Sequence, residues 1–427
     1  MEELDLDRPP TPPHQPTAGV RILRQEILSI LQHGFPDYEI VSVVQSAPGK
    51  SYNNRIYFLK LRRPGAVQSE LGLVLKVNGR FFGPNKVQNE VSCLRLLEKH
   101  SPSVPAPRAL AWSEDGHLAT FQTPFARRSC LLDMPTGCNK LDHGGWILMT
   151  KLPGTPLADT DFNETGATNL AHQLGDIVTS WRTEIPAQSC CGNIRLWEHG
   201  NGQNEAEEPL IIEGALHMGI DTSHPITDIN EYYQIKLESS LSKLETSDTF
   251  GRSRYLATPI RKFIHDVLPK LDLCPYERPQ PKKYVFTHYD LSPRNILIAG
   301  EPPRIVGIVD FEFGGFFPAV EEFLNDFISN KGNFTNEFYN SYLRRLEENG
   351  IATPDATFDP IIWNRSYWLE TLVLRTAPWD LPGAYQGDEL EKQLRDAESD
   401  VALMLEKLNV SHSTPRGTQA ARESYLG

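Results

Sequence analysis

The most constraining stretch of the 427-residue chain runs from residue 284 to residue 315 and reads YVFTHYDLSPRNILIAGEPPRIVGIVDFEFGG. Short apolar runs alternate there with polar clusters. Three runs have the length and composition of short β-strands: 284–286, 296–298 and 305–309. Four polar side chains stand where these strands are predicted to start or stop: His288, Asp290, Asn295 and Asp310. Because loops at strand ends present side chains from a rigid scaffold, we expect a functional site here.

Three of these side chains have the chemistry that phosphoryl transfer needs. A carboxylate such as Asp290 can accept the proton of an attacking hydroxyl. The amide oxygen of Asn295 and the carboxylate of Asp310 suit Mg²⁺, which is a hard cation and prefers oxygen ligands. The alternative interpretation is that these are ordinary turn residues, because Asp and Asn are common in turns. The ordered set between apolar runs favours the site.

The segment resembles the aminoglycoside phosphotransferase and choline kinase family. The family motif is H-x-D, then a spaced Asn, then I-x-D-aromatic-E, and the combination is specific. In this chain it stands as His288-Tyr289-Asp290, Asn295 and Ile308-Val309-Asp310-Phe311-Glu312. The sequence pattern HYDLSPRNIL with VDFEFGGFFP is most similar to the branch of the family common in filamentous fungi.

The resemblance implies an α+β, bilobal, protein-kinase-like fold. Its small N-lobe would contain an antiparallel sheet, and its larger C-lobe would be mainly helical. We expect a disordered tail at 1–18 and an N-lobe at 19–155. A C-lobe for catalysis and acceptor binding would follow at 156–410, and a second disordered tail at 411–427. The tails are predicted from their polar, aperiodic composition. Helical periodicity predicts helices at 20–31, 86–100, 170–181, 232–244, 255–271 with a break near Pro259, 338–346, 361–373 and 388–408.

The resemblance also assigns roles to the motif residues. Asp290 would be the catalytic base, Asn295 and Asp310 would bind Mg²⁺, and His288 would brace the catalytic loop. The implied cofactors are ATP and Mg²⁺. Catalysis would depend mostly on positioning and charge neutralisation.

Further family features lie in the first half of the chain. The S-x-N pattern of the nucleotide loop is present as Ser51-Tyr52-Asn53. Lys76, in the apolar strand LGLVLKV, would steady the ATP phosphates, and Glu90, in the following helix, would pair with it. The alternative for Lys76 is an edge-strand lysine whose ammonium reaches solvent. For Glu90 it is an ordinary helix-surface glutamate.

The stretch GGWILMTKLPGTPL resembles the hinge between lobes, where adenine pairs with backbone groups. The Thr150 carbonyl and the Leu152 amide would then face the base. A buried strand followed by a turn explains the same residues equally well.

Composition excludes several classes of function. The net charge of −13 argues against a nucleic-acid partner, which would need a basic surface. No apolar run approaches the ~18 residues of a membrane span, so no membrane partner is expected. The N-terminus, MEELDLDRPPTPPHQP, lacks the pattern of a signal peptide, and the six cysteines form no zinc or disulfide framework. We therefore expect a cytoplasmic protein. The sequence does not indicate the oligomeric state.

The leading hypothesis is an ATP- and Mg²⁺-dependent phosphotransferase acting on a small molecule that carries a hydroxyl. The alternatives are a protein serine/threonine kinase and a catalytically silent kinase-like binding module. Against the first alternative, Asp310-Phe311-Glu312 replaces DFG and no A-P-E segment follows. Against the second, the full set of Asp290, Asn295 and Asp310 is present.

The acidic residues near the motif raise a further hypothesis, that the acceptor is cationic. The carboxylates are those of Glu312, Glu321 and Glu322. Together with the aromatic segment 363–379 they could bind a cation. The other possibility is that the carboxylates are solvated and the aromatic rings pack in the core.

Overall fold

A seven-stranded antiparallel sheet forms the first lobe of the protein, within the part of the chain that this computed structural model describes. The described residues are 11–46, 51–65, 70–80, 85–122, 127–132, 144–160, 164–196, 210–212, 224–274, 284–324, 336–354 and 356–411. The strands are β1 (Glu39–Gln45), β2 (Asn54–Arg62), β3 (Glu70–Asn78), β4 (Ala109–Ser113), β5 (Leu118–Gln122), β6 (Arg127–Leu131) and β7 (Trp146–Thr150). Their spatial order is β1-β2-β3-β7-β4-β5-β6.

The two faces of this sheet are covered differently. Helix α1 (Arg24–Gly34) packs on one face, and helix α2 (Asn85–His100) packs on the other, between the sheet and the second lobe. Successive strand residues point to opposite faces. Leu75 and Val77 of β3 therefore join the core with α1, and Lys76 points to the side where the second lobe lies.

The second lobe is mainly helical. Its described helices are α3 (Glu164–Glu184), α4 (Ile229–Thr246), α5 (Ala257–Asp266), α6 (Glu321–Leu324), α7 (Asn336–Glu348), α8 (Pro360–Thr376) and α9 (Gly387–Ser411). Its described strands are β8 (Thr155–Pro156), β9 (Ile194–Leu196), β10 (Leu210–Ile212), β11 (Tyr284–Thr287), β12 (Ile296–Ala299), β13 (Arg304–Ile308) and β14 (Gly315–Pro318). One large apolar core joins these helices to α2 of the first lobe.

The short strands of the second lobe bring the motif residues together. Strand β11 pairs with β14, and β12 pairs with β13, with Ile296 opposite Ile308. Beyond that pair, the Val309 amide donates to the Asn295 carbonyl at 2.9 Å. Asn295 and Asp310 therefore leave the same end of a β-hairpin.

The predicted fold class is confirmed: an antiparallel sheet forms the N-lobe and helices dominate the C-lobe. The predicted helices are present, with different ends. The first begins at Arg24 rather than at Val20, because the Leu23 amide donates to Glu26 Oε2 at 2.6 Å and this bond caps a later start. The predicted 255–271 helix is divided into the end of a 3₁₀ segment, α5 and a second 3₁₀ turn. Its break is at Val267 rather than near Pro259, which lies in the first turn of α5.

Residues 11–18 differ from the expected disordered tail. They form turns that contact the N-lobe, where Arg55 donates to the Thr11 hydroxyl and to the Thr17 carbonyl at 3.0 Å each. Both bonds come from a buried guanidinium, and such charge-assisted hydrogen bonds are about twice as strong as neutral ones. Ser411, where the second tail is predicted to begin, is the last residue of α9. The described residues do not include 1–10, 412–427 and most of 189–225. Among the described helices, none combines the length and the hydropathy needed to cross a membrane.

Candidate active site

Three carboxylates converge on the Lys76 ammonium between the two lobes. Its Nζ lies 2.6 Å from Glu90 Oε2, 2.5 Å from Asp310 Oδ1 and 2.7 Å from Glu312 Oε2. The predicted contact between Lys76 and Glu90 is therefore present, and the alternative of a lysine reaching solvent is wrong for this residue. One bond comes from α2 and two come from the segment after β13. This cluster joins the lobes.

The cluster has one side that solvent can reach. The Asp310 side chain is 28% exposed, whereas the Lys76 and Glu312 side chains are 7% and 0% exposed. Burial alone would lower the pKa of Lys76, but the carboxylates of Asp310, Glu312 and Glu90 outweigh it and raise that pKa well above its usual value. Lys76 is therefore charged, and Asp310 is the member of the cluster that a ligand can reach.

Glu312 is the residue of the site whose role sequence reasoning missed. Burial raises the pKa of its carboxyl, but Lys76 and Lys86 lower that pKa by more than burial raises it. The group is therefore ionised. Asn53 Nδ2 and Asn54 Nδ2 donate to its two oxygens at 2.9 and 2.6 Å, and Lys86 Nζ lies 3.1 Å away. Its place in the D-aromatic-E motif was the available signal. Glu312 ties the predicted nucleotide loop to the C-lobe.

That loop is only partly described. Gly49 lies outside the described residues, and Ser51 is half-buried. The Asn53 side chain, predicted to serve the nucleotide, donates to Glu312. Between them, Tyr52 makes an edge-to-face contact with Trp379 of the C-lobe, with ring centroids 5.5 Å apart. The loop therefore reaches across to the second lobe on both sides of Asn53.

His288 joins the ends of two strands. Its Nδ1 accepts from the Asp290 amide at 3.2 Å, and its Nε2 donates to the Val309 carbonyl at 3.1 Å. The ring is fully buried and lies 4.4 Å from the ring of Phe311, centroid to centroid. Burial lowers the pKa of His288 to about 4, so the imidazole is neutral and has one donor and one acceptor nitrogen. These bonds place Asp290 next to the Asp310 segment.

Asp290 is held at both carboxylate oxygens. Arg294 Nη2 donates to Oδ1 at 2.7 Å, and Asn295 Nδ2 donates to Oδ2 at 3.1 Å and to the Asp290 carbonyl at 2.8 Å. Burial raises the pKa of Asp290 to about 7, with Arg294 opposing the shift. A carboxyl with a pKa in this range can exchange a proton near neutral pH, as a general base must.

Two groups of oxygen ligands could hold a divalent cation. Because the Asn295 amide nitrogen faces Asp290, its amide oxygen is directed away from that carboxylate, and Asp310 leaves the same hairpin end. Among described residues that carry carboxylate, imidazole or thiol groups, one cluster has metal-ligand spacing: Glu90, Asp310 and Glu312. Lys76 already lies among those three. Asn295 and Asp310 stay the predicted Mg²⁺ ligands, because the nearest oxygens of Glu90 and Glu312 already pair with Lys76.

The predicted hinge lies against the β12–β13 hairpin. The Thr150 amide donates to the Arg108 carbonyl at 3.0 Å. The Leu152 side chain packs beside Gly307 of β13. Gly154, at φ +93°, turns the chain so closely against the Ile298 carbonyl that a Cβ would lie 2.5 Å from its oxygen. Only glycine permits this turn. Leu152 and Gly154 therefore border the hairpin that carries the motif.

The acidic residues that suggested a cationic acceptor are buried and have internal surroundings. Glu312 binds Lys76 and Lys86, and Glu321 accepts from the Tyr233 hydroxyl at 2.7 Å. Glu322 is 2% exposed. The described structure therefore removes these three carboxylates as support for a cationic acceptor.

Comparison with known proteins agrees with the sequence motif and the fold. The model of the phosphotransferase enzyme family matches residues 45–356, which is most of the chain. Among curated proteins, none matches significantly. The gentamicin complex of APH(2″)-IIa is similar in structure, with a TM-score of 0.51, 12% identity, and coverage of 90% of this chain and 97% of that one.

Two further solved structures are similar at the level of the fold. The streptomycin–ATP ternary complex of APH(2″)-IIa has a TM-score of 0.51 at 13% identity, covering 90% of this chain and 99% of that one. ADP-bound aminoglycoside phosphotransferase APH(2″)-Ib has a TM-score of 0.50 at 13% identity, with the same coverage. Sequence motif, fold and family model agree, and the chain belongs to the phosphotransferase enzyme family.

Proposed function

We propose that the protein transfers the γ-phosphoryl group of ATP to a hydroxyl of a small molecule, with Mg²⁺ as cofactor and Asp290 as base. One observation carries this proposal: the hairpin end and the Lys76 cluster bring a proton acceptor, oxygen ligands and a charged lysine together between the lobes. The similar APH(2″)-IIa structures are complexes with gentamicin and with streptomycin and ATP. The similar APH(2″)-Ib structure is bound to ADP.

Each residue has a distinct part in the proposed reaction. Asp290 accepts the proton of the attacking hydroxyl, oriented by its bonds to Arg294 and Asn295. Lys76, kept in place by Glu90, contacts the phosphates. The Thr150 carbonyl and the Leu152 amide face the adenine, and Ser51 and Asn53 belong to the loop above the phosphates.

Asn295 and Asp310 would hold Mg²⁺, which when bound neutralises charge on the phosphates. The oxygen character of both ligands and the 28% exposure of the Asp310 side chain fit this role. The acceptor itself is proposed only as a class, a small hydroxyl-bearing molecule. We further propose that the reaction occurs in the cytoplasm.

The direct test is ATP consumption by the wild-type protein with and without a library of hydroxylated metabolites, with products identified by mass spectrometry. In Asp290→Asn the rate should fall by about 10²–10⁴-fold, the usual contribution of a general base. Nucleotide affinity, measured by calorimetry, should change little. The matched control is Asp248→Asn, because Asp248 is fully exposed.

Wild-type rates in a folded Asp290→Asn variant would contradict the proposed base. Absence of ATP consumption with every acceptor, combined with normal nucleotide binding, would favour the silent binding module instead. Phosphorylation of protein substrates but of no small molecule would favour the protein kinase alternative.

A further inference from the structure

A buried lysine lies directly behind the proposed catalytic loop, residues 288–295. This lysine is Lys236 of α4, and it is 4% exposed. Its ammonium forms an ion pair with Glu370 of α8 and lies 3.6 Å from Glu321 Oε2 of α6. It also donates to the Tyr289 hydroxyl at 2.9 Å and to the Tyr232 hydroxyl at 3.2 Å. Four segments of the C-lobe meet at this one cation.

Aromatic rings complete the surroundings of the ammonium. Lys236 Nζ lies 4.9 Å from the ring centre of Tyr232, 5.6 Å from that of Tyr233 and 5.7 Å from that of Tyr289. The Tyr232 and Tyr233 distances are within the range of cation–π attraction, whereas Tyr289 meets the ammonium at its hydroxyl rather than at its ring face. Burial lowers the pKa of Lys236, but the carboxylates of Glu321 and Glu370 outweigh it and raise that pKa above its usual value. The group is therefore a charged ammonium in a cage of three rings and two carboxylates.

Stability alone does not explain such a cage. Removing an ammonium from water is costly, and replacing a buried ion pair by apolar residues of similar volume often leaves a protein as stable or more stable. Buried ion pairs of this kind can instead specify one arrangement of the groups around them. Among the groups around Lys236, Tyr289 is the one whose conformation most needs such a constraint.

Tyr289 has an unusual backbone conformation. Its φ is +70°, in the left-handed region, which a bulky side chain adopts only under constraint. Such a conformation is unfavourable for a residue other than glycine and persists only where surrounding contacts hold it. Tyr289 directly precedes Asp290, and its ring packs 4.9 Å from that of Phe317 on β14, centroid to centroid. The side-chain contacts of Tyr289 therefore stabilise the backbone turn from which Asp290 projects.

We propose that Lys236 is a positioning residue for the catalytic loop: its caged ammonium holds the Tyr289 hydroxyl, and this contact maintains the turn that orients Asp290. The role deepens the proposed function, because it acts through the proposed base. It also gives this cage an internal cation, so the cage is not the place where a cationic acceptor binds.

The decisive variant is Lys236→Ala, which removes the atoms of n-propylammonium from the cage. We expect kcat to fall by about 10²-fold, the effect of a misplacement of about 1 Å, with the KM for ATP changed by less than about threefold. Added n-propylammonium should restore at least about a tenth of the lost rate and should raise the thermal midpoint of the variant. The neutral analogue 1-propanol should do neither.

Two controls accompany this experiment. Lys243→Ala, at an exposed position of the same helix, should keep wild-type kcat and show no response to the amine. Lys236→Met fills the cage with an apolar chain of similar length and serves if the alanine variant does not fold. It should lose kcat without amine rescue, and amide exchange at residues 288–295 should be faster than in the wild type, with α9 unchanged.

Three results would overturn the positioning role of Lys236: wild-type kcat in both Lys236 variants, equal rescue by 1-propanol, or equal exchange at residues 288–295. The thermal and exchange measurements need no turnover. If the wild-type protein transferred phosphate to no acceptor, the proposed function would fail while these two measurements still decided the role of Lys236.

Discussion

At the residue scale, the environment of a side chain decides its chemistry more than its type does. Glu312 and Glu322 lie ten residues apart and are both buried, yet their carboxyl groups differ in charge. Two lysines surround Glu312 and lower its pKa. Burial raises the pKa of Glu322 to about 7, and Arg182 and the His288 backbone only partly oppose that shift. Glu322 therefore holds its proton over a wide range of pH.

This difference predicts a pH-dependent effect of Glu322→Gln on stability. Between the unfolded pKa of 4.5 and the folded pKa of about 7, the folded state keeps a proton that the unfolded state has lost. The free energy of unfolding of the wild type therefore falls as pH rises through this range. The variant lacks that loss, so its stability relative to wild type should increase by about 3 kcal/mol from pH 4.5 to 7.

Urea denaturation at several pH values measures this difference. Glu337→Gln, at an exposed position of α7, is the control and should give a difference that does not vary with pH. If the stability difference between Glu322→Gln and the wild type did not vary with pH, the Glu322 carboxyl would be ionised in the folded wild-type protein.

At the element scale, helix starts determine where the buried groups of the C-lobe stand. Asp228 caps α4 by accepting from the Asn230 amide at 2.8 Å and the Glu231 amide at 3.2 Å. Asp359 caps α8 by accepting from the Ile361 amide at 2.8 Å, with Pro360 at the first helical position. These two helices carry Lys236 and Glu370, so their caps help to set the position of the cage.

Asp228→Ala should lower the free energy of unfolding by about 1 kcal/mol, because two amides at the start of α4 lose their acceptor. Asp228→Asn should change it much less, since Asn is an equally good cap. Chemical denaturation of both variants measures the effect. Equal losses in the two would show that charge, rather than capping geometry, makes Asp228 stabilising.

At the scale of the whole molecule, several contacts hold the lobes in their relative positions. The Lys76–Asp310 pair and the bonds from Asn89 Nδ2 to the Glu312 and Gly314 carbonyls lie on the inner side. The Tyr52–Trp379 contact spans the lobes beside the predicted nucleotide loop, although Trp379 is half exposed. His14, in the N-terminal turns, packs beside Gly383 of the same C-lobe segment.

Trp379→Ala should weaken nucleotide binding by about 2–10-fold, because an aromatic pair contributes about 0.5–1.5 kcal/mol beyond its buried area. Calorimetric titration with ATP or ADP measures this. Tyr52→Ala should have a similar effect, and the double variant should lose little more than either single one. Tyr255→Ala removes an exposed C-lobe aromatic and is the control. Fully additive losses would show that the two rings act independently.

The sequence by itself determined the local features of this protein. Helical periodicity located most of the described helices, and short apolar runs located the strands of the motif and the strand of Lys76. The motif between residues 284 and 315 identified the hairpin that carries Asn295 and Asp310 and the loop that carries Asp290. The predicted partnership of Lys76 and Glu90 followed from the resemblance to a family, and the structure brings the two side chains into contact. Their roles in binding nucleotide stay predictions.

Only the tertiary structure decided which buried charges meet. Glu312 binds Asn53 from 259 residues away, and Lys236 binds Glu370 from 134 residues away. Glu321 and Glu322 are adjacent in sequence, but only the folded chain shows that Glu321 accepts from Tyr233 while Glu322 lies beside Arg182. Periodicity reports which face of one element is apolar, and it carries no record of which elements approach each other. The pairing of buried charges depends on that approach, because an ion is tolerated in the interior only where a partner from another element reaches it.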